Sequence, residues 1–347
     1  TSTATPLILA LIFLISMIVF SGILVHFPPT NEKTMETKPY LQITGPNAMT
    51  VMWTTNYEAM SWVEYGLSED LGQNASSSNA GLLDVGKIHR IALANLTLGS
   101  TYYYRVVSKP IRTFGSYEVI FGDPEASQVF HFTLPSASDD SISFLALADI
   151  HEHTDLYSQL LQIGSNKSYD ILFLNGDLLS DLESHDQIID HLLKPLNDNL
   201  GSNIPFAYVR GNHETRGEYA RELQNYLISP TGSYFYSFNL GKIHFTVLDG
   251  GEDKNDSHKE YSGLVDFESY RVEETEWLED EVNSIAYNSA TFRIVFIHIP
   301  LLEYLTENLS RDPFLQYKKT WADLLNATGA DLILSGHEHT NYIELPN

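Results

Sequence analysis

Five short clusters carry the residues able to do chemistry: Asp149-Ile150-His151, Gly176-Asp177, Gly211-Asn212-His213-Glu214, His298, and Gly336-His337-Glu338-His339. Their carboxylate, imidazole and amide groups offer oxygen and nitrogen donors, which suit borderline divalent ions such as Zn, Mn or Fe. The chain has no cysteine, so thiolate ligands, disulfides and lipoprotein acylation are excluded together. Taken singly, the clusters say little, because D-x-H and G-D arise often by chance. A lone histidine after a strand is usually a hydrogen-bonded core or surface residue. The ordered recurrence carries the signal. It points to a site for two divalent metal ions.

Each cluster closes an apolar run: "ISFLALAD", "DILFLNGD", "PFAYVRGN", "RIVFIH" and "DLILSGH". Amphipathic stretches such as "TDLYSQLLQIG", "DQIIDHLLKPL" and "VEETEWLEDEVNSIAY" lie between them. That alternation predicts an α/β layered domain over 141–347 with a largely central sheet. Ligand sites in such sheets lie beyond the carboxyl ends of the strands, so one rim would collect all five clusters. The glycines fit sharp turns that bring backbone close to a bound group. "YFYSFNLGKIHFTVLD" reads instead as an antiparallel hairpin turning near Gly241.

Upstream, "YLQIT", "MTVMWTT", "WVEYG", "HRIALA", "TYYYRVV" and "VFHFTL" are short alternating strands separated by turn residues. Their spacing predicts an all-β sandwich over 38–135. The turn before Tyr102 resembles the tyrosine corner of fibronectin type III domains. This sandwich is expected to support its neighbour without chemistry of its own. "LPSASDDS" at 134–141 reads as the linker.

In their order, D-x-H, G-D, G-N-H-E, a distal H and G-H-x-H resemble the calcineurin-like metallophosphoesterase superfamily. "VFIH" at 295–298 is similar to the V-x-x-H of its purple acid phosphatase branch, whose members also carry an N-terminal fibronectin-like domain. The resemblance spans 38–345. It implies an all-β sandwich followed by an α/β metallophosphoesterase domain, with Asp149, His151, Asp177 and His339 on a first metal. Asp177 would bridge to a second, completed by Asn212, His298 and His337. His213 would face substrate, contacting a phosphoryl oxygen or protonating the leaving group. The implied reaction is hydrolysis of phosphate monoesters by a metal-bridging hydroxide, with no protein nucleophile. A phosphodiesterase of the same superfamily is the alternative, since D-x-H forms include many. A catalytically inactive surface-binding protein is the less favoured one. Glu214 is a candidate to orient His213, and His153 reads as a bystander. The acidic loop "GGEDKNDSHKE" at 250–260 is a candidate wall of the cleft, with a solvated surface loop as its default.

Two positions depart from the purple enzymes. They have D-x-G where this chain has His151, and a tyrosine ligand three residues past the bridging aspartate, where this chain has Ser180. The changes compensate in ligand number while removing the tyrosinate that partners ferric iron. A colourless site using Zn, Mn or ferrous-type iron is therefore expected.

A net charge of −25 leaves no basic surplus to displace counterions, which excludes a nucleic-acid polymer as the natural partner and favours a small phosphorylated substrate. Residues 7–27, "LILALIFLISMIVFSGILVHF", are uncharged and long enough to span a bilayer as one helix. Residues 1–30 are thus expected to be a signal peptide or membrane anchor and the only membrane contact. The protein would be secreted, periplasmic or anchored to the outer face of a membrane. Sequons at Asn74, Asn95, Asn166, Asn255, Asn308 and Asn326 agree with export. Family members continue beyond the point matching Asn347, so the resemblance implies further C-terminal strands. Oligomeric state is not legible.

Overall fold

The computed structural model describes residues 33–45, 47–165, 168–301 and 314–343. The apolar segment and the sequons at Asn166 and Asn308 lie outside them. Among the described residues no helix is long and apolar enough to cross a membrane.

The N-terminal region is strand-rich, built from β1 (Tyr40–Gly45), β2 (Ala48–Gly66), β3 (Val85–Leu93), β4 (Thr101–Phe114) and β5 (Phe130–Thr133). The sequence suggested two strands across 49–66, and the structure has one of 19 residues. A register shift between Thr54 and Ala59 bends it, so its first half pairs with β1 and β3 and its second half with β4. Such an irregularity lets Asn56 and Glu58 face solvent while Trp53 and Ala59 stay buried. The corner at Tyr102 is present, with its hydroxyl accepting a bond from Thr97 N at 2.9 Å.

The C-terminal region alternates strands and helices. In chain order it contains β6 (Phe144–Leu147), α1 (Thr154–Ser165), β7 (Ile171–Asn175), α2 (His185–Ile188), α3 (Lys194–Leu200), β8 (Pro205–Val209), and the hairpin β9 (Tyr236–Leu240) with β10 (Ile243–Leu248). It continues through α4 (Phe267–Glu281), α5 (Ile285–Ser289), β11 (Phe292–Ile297), α6 (Leu315–Ala327) and β12 (Leu332–Leu334). A π-type turn, Ile189–Leu193, joins α2 to α3 just before Pro195, whose missing N–H is harmless near a helix start.

The expected central sheet is in fact two stacked sheets. Parallel β6, β7 and β8 form one, and β9–β10–β11–β12 form the other. Strand alternation explains the doubling. Phe173 of β7 packs between the sheets, its ring 3.9 Å from that of Phe296 and 5.1 Å from that of Phe245. Its neighbours Leu172 and Leu174 point the other way, into the core beneath α1, α2 and α3. Val295 and Ile297 of β11 face Leu278 of α4 and Trp321 of α6. Both faces of each sheet are therefore apolar, and neither period alone reveals which face meets a helix.

The two regions share one hydrogen-bonded sheet, because β1 runs parallel to β8 with Leu41 opposite Pro205 and Gln42 opposite Phe206. Tyr104 Oη donates to Ser202 O at 2.6 Å across the same seam, and Tyr40 Oη to Tyr226 O at 2.8 Å.

Candidate metal centre

All five clusters converge at the carboxyl ends of β6, β7, β8, β11 and β12. Three overlapping groups of donors result, with each group's atoms within 4.8 Å of one another: Asp149, His151 and His339; His151, Asp177 and His213; and Asp177, His298 and His337. They touch. His151 Nε2 lies 3.8 Å from Asp177 Oδ2 and 3.2 Å from His339 Nε2, while His339 Nε2 lies 3.5 Å from Asp149 Oδ1. His298 Nε2 is 3.0 Å from Asp177 Oδ2, and Asn212 Oδ1 is 3.0 Å from His337 Nδ1.

The turns that deliver these groups are strained. Asp149, His151, Asp177, His337 and His339 all have left-handed backbone, with φ of 56°, 45°, 51°, 75° and 51°. Non-glycine residues held there cost about 1–3 kcal/mol each and persist where surrounding structure dictates them. Gly176 is required on two counts: its φ is +82°, and a Cβ there would collide with the His298 ring. At Gly211 a Cβ would strike Asp177 Oδ1.

Glu214 does not orient His213. Its carboxylate, nearly fully buried, accepts four backbone N–H groups: Asp177 at 2.9 Å, Leu178 at 2.6 Å, Leu179 at 3.1 Å and Gly211 at 2.9 Å. It ties the Gly176-Asp177 turn to the Gly211-Asn212 turn. His213 is set by another contact: its Nδ1–H donates to Ser180 O at 2.7 Å, which turns Nε2 toward the cleft. Asp181 accepts a bond from Gln187 Nε2 at 3.1 Å.

The electrostatics fit a divalent ion pair. Burial lowers the proton affinity of His151 and His337, leaving their imidazoles neutral near pH 7 and free to ligate. Burial opposes the Asp177 charge, but the His298 ring and the His213 amide outweigh it and hold the carboxyl down at about 2. Burial likewise disfavours the His298 cation, and the adjacent Asp177 carboxylate overrides it, raising the ring to about 9 without a metal. Burial and the Asp177 charge push Glu214 up to about 7, against its four amide bonds. His298 Nδ1 donates to Asn175 O at 2.8 Å, which leaves its buried Nε2 to face the Asp177 carboxylate, 3.0 Å from Oδ2. An imidazole nitrogen aimed at a buried carboxylate, with the other ring nitrogen committed to a backbone carbonyl, is an arrangement that fits a metal ligand.

A cleft of about 500 Å³ opens over this centre, lined by His151, Asp177, Asn212, His213, His337 and His339. Sequence reasoning underestimated its rim. His153, which has no matched motif position, lines the cleft, as do Arg216, Asp253 and Lys254. The 250–260 loop contributes two of these, so its alternative reading as a cleft wall was the right one. A further group, Glu36, His185 and Asp186, lies at the seam with the N-terminal strands. Both ring nitrogens of His185 are occupied there, by Glu36 at 3.0 Å and by Tyr226 Oη at 2.8 Å.

Residues 142–341 match the calcineurin-like phosphoesterase family. The chain belongs to that family. Residues 37–134 of this calcineurin-like phosphoesterase match the purple acid phosphatase N-terminal domain. It is 23% identical over 334 residues to a probable purple acid phosphatase 20 of Arabidopsis thaliana, covering 90% of this chain and 70% of the relative. Purple acid phosphatase 18 of the same plant is 26% identical over 319 residues, with 86% and 64% covered. The fold resembles a purple acid phosphatase from yellow lupin seeds, with a TM-score of 0.64 at 18% identity, covering 88% of this chain and 59% of the lupin one. The phosphoesterase thus spans about two thirds of the length of the relatives it matches.

Proposed function

We propose that this protein hydrolyses phosphate monoesters at a centre of two divalent metal ions. Asp149, His151, Asp177 and His339 would hold one ion, and Asp177, Asn212, His298 and His337 the other. The supporting observation is the contact of the donor groups at Asp177, whose carboxylate can serve both ions where a neutral imidazole serves one. When bound, such a pair supplies Lewis acidity toward water and phosphate and offsets charge developing on the phosphoryl group. The side chains do the rest. Asp177 is held ionised and fixed in place by the His213 amide, which donates to Oδ1 at 3.0 Å. His213 donates from Nδ1 to Ser180 O, so the neutral ring offers Nε2 to the cleft as an acceptor, and only its imidazolium form would carry a proton there for a leaving oxygen.

Zn, Mn or ferrous iron suits this donor set better than ferric iron. Ser180 occupies the position of the missing tyrosine, and no tyrosine is among the residues lining the cleft. We place the domain limits at 38–135 and 141–347. We also assign the protein to the secretory or periplasmic side of a membrane. The apolar run at 7–27 supports this, as do Asn74, Asn95, Asn255 and Asn326, all exposed as glycan acceptors must be.

The test is metal analysis with turnover of nitrophenyl phosphate measured against its bis-ester. Two equivalents of metal, no visible absorbance band and faster monoester cleavage are expected. Faster diester cleavage would move the assignment to a phosphodiesterase, and no turnover with Zn, Mn or ferrous iron would refute it.

A further inference from the structure

The 250–260 loop and the turn after Glu214 together build a feature that the metal ligands do not account for. Arg216 lines the cleft and is clamped from behind by Glu252, with Nε 2.7 Å from Oε1 and Nη2 2.8 Å from Oε2. Glu252 is completely buried, whereas the Arg216 side chain keeps 27% of its surface accessible. Thr215 Oγ1 adds a bond to the same carboxylate at 2.8 Å, and buried Arg271 donates to the carbonyls of Gly250 and Glu252. The loop that holds Glu252 is therefore itself held. The remaining edge of the guanidinium makes only long contacts, with Nη1 3.5 Å from His213 Nε2 and Nη2 3.7 Å from Asp253 Oδ1. Lys254, also on the rim, is engaged by Asp253 at 2.9 Å and is less firmly placed.

We propose that Arg216, pinned by Glu252, is the residue that selects phosphate monoesters over diesters, an inference that rests on the monoester reading above. A monoester presents three charged non-bridging oxygens, and a diester replaces one by an ester oxygen carrying a second organic group. The outward edge of an immobilised guanidinium, held only by those two long contacts, offers parallel N–H donors whose geometry matches a charged phosphoryl oxygen. It gains little from an ester oxygen. A site built around such donors discriminates against the analogue that leaves them unpaired. Glu252 cancels much of the net charge but fixes the fork, so the selectivity comes from placed donors rather than from a diffuse positive field.

Arg216→Lys keeps a cation for Glu252 and removes the fork, so folding is preserved and the effect is readable. In the metal-loaded protein the ratio of monoester to bis-ester kcat/KM is expected to fall about tenfold to a hundredfold, the range for one charge-assisted hydrogen bond. The affinity for inorganic phosphate, read by calorimetry, should weaken about tenfold or more. An unchanged ratio with unchanged phosphate affinity, or an equal loss on both esters, would overturn the proposal. Should the unmodified protein turn over neither ester, the phosphatase reading falls, and the phosphate-binding comparison alone decides the role of Arg216.

Discussion

Asp177 and His298 are almost fully buried, whereas His339, on the other side of the same centre, leaves 58% of its side chain exposed. The buried half is braced from behind, with His298 held by Asn175 O and Asp177 by two turns that Glu214 joins. In the open half Asp149 accepts the His337 amide at 2.9 Å, but His339 stands largely in solvent. One side is enclosed by protein. The other opens to solvent at His339. The difference implies that the two metals are held unequally, with the ion at Asp177, His298 and His337 retained and the one at His339 exchangeable.

Asp177→Ala should have the largest effect, since it removes the one donor shared by both halves. Turnover is expected to drop more than about a thousandfold, beyond the cost of losing a single electrostatic donor, and metal content should fall well below two equivalents. Retained paired metal by elemental analysis would break the bridging assignment. His298→Ala and His339→Ala then separate the halves. The first orphans the Asn175 carbonyl and should cost about 1–3 kcal/mol in a denaturant melt besides losing metal. The second should leave stability within about 0.5 kcal/mol, lose one equivalent on dialysis and recover activity in excess metal. Equal behaviour of the two variants would erase the asymmetry.

Glu214→Gln is expected to be milder. It places an amide NH2 against backbone donors, lowering metal affinity or activity by about 10–100-fold through misplacement of the two turns. The smallest effect concerns metal-free protein. His298 has a folded pKa of about 9 against 6.5 unfolded, so its stabilising contribution is complete below 6.5 and is lost as pH rises toward 9. The melting temperature of the chelated protein should therefore fall across that window. The loaded protein should not follow, because its His298 holds metal rather than a proton.

The ligand clusters were legible because each is local: a strand, a glycine that permits the turn, and donors within three residues. The chain positions of most strands were legible from apolar runs for the same reason. The doubled sheet was not, since Phe173 and Leu172 are both apolar and only packing says which meets Phe296. Arg216 and Glu252 are 36 residues apart, and nothing in either segment announces the other. Glu214 looked like a partner for its neighbour His213, yet its four bonds go to amides, most of them in a distant turn. Side chains that serve backbone leave no pattern in sequence.

The pairing of β1 with β8 bears on modularity. β8 leads into Gly211 and Asn212, so the strand presenting part of the centre has a neighbour borrowed from the N-terminal region. Excising residues 141–347 would strip that neighbour away and expose a free edge beside Asn212, a template for pairing with other chains. The front region is thus a piece of the enzyme's own framework, and chimeras that exchange it for an unrelated sandwich inherit an unfinished sheet.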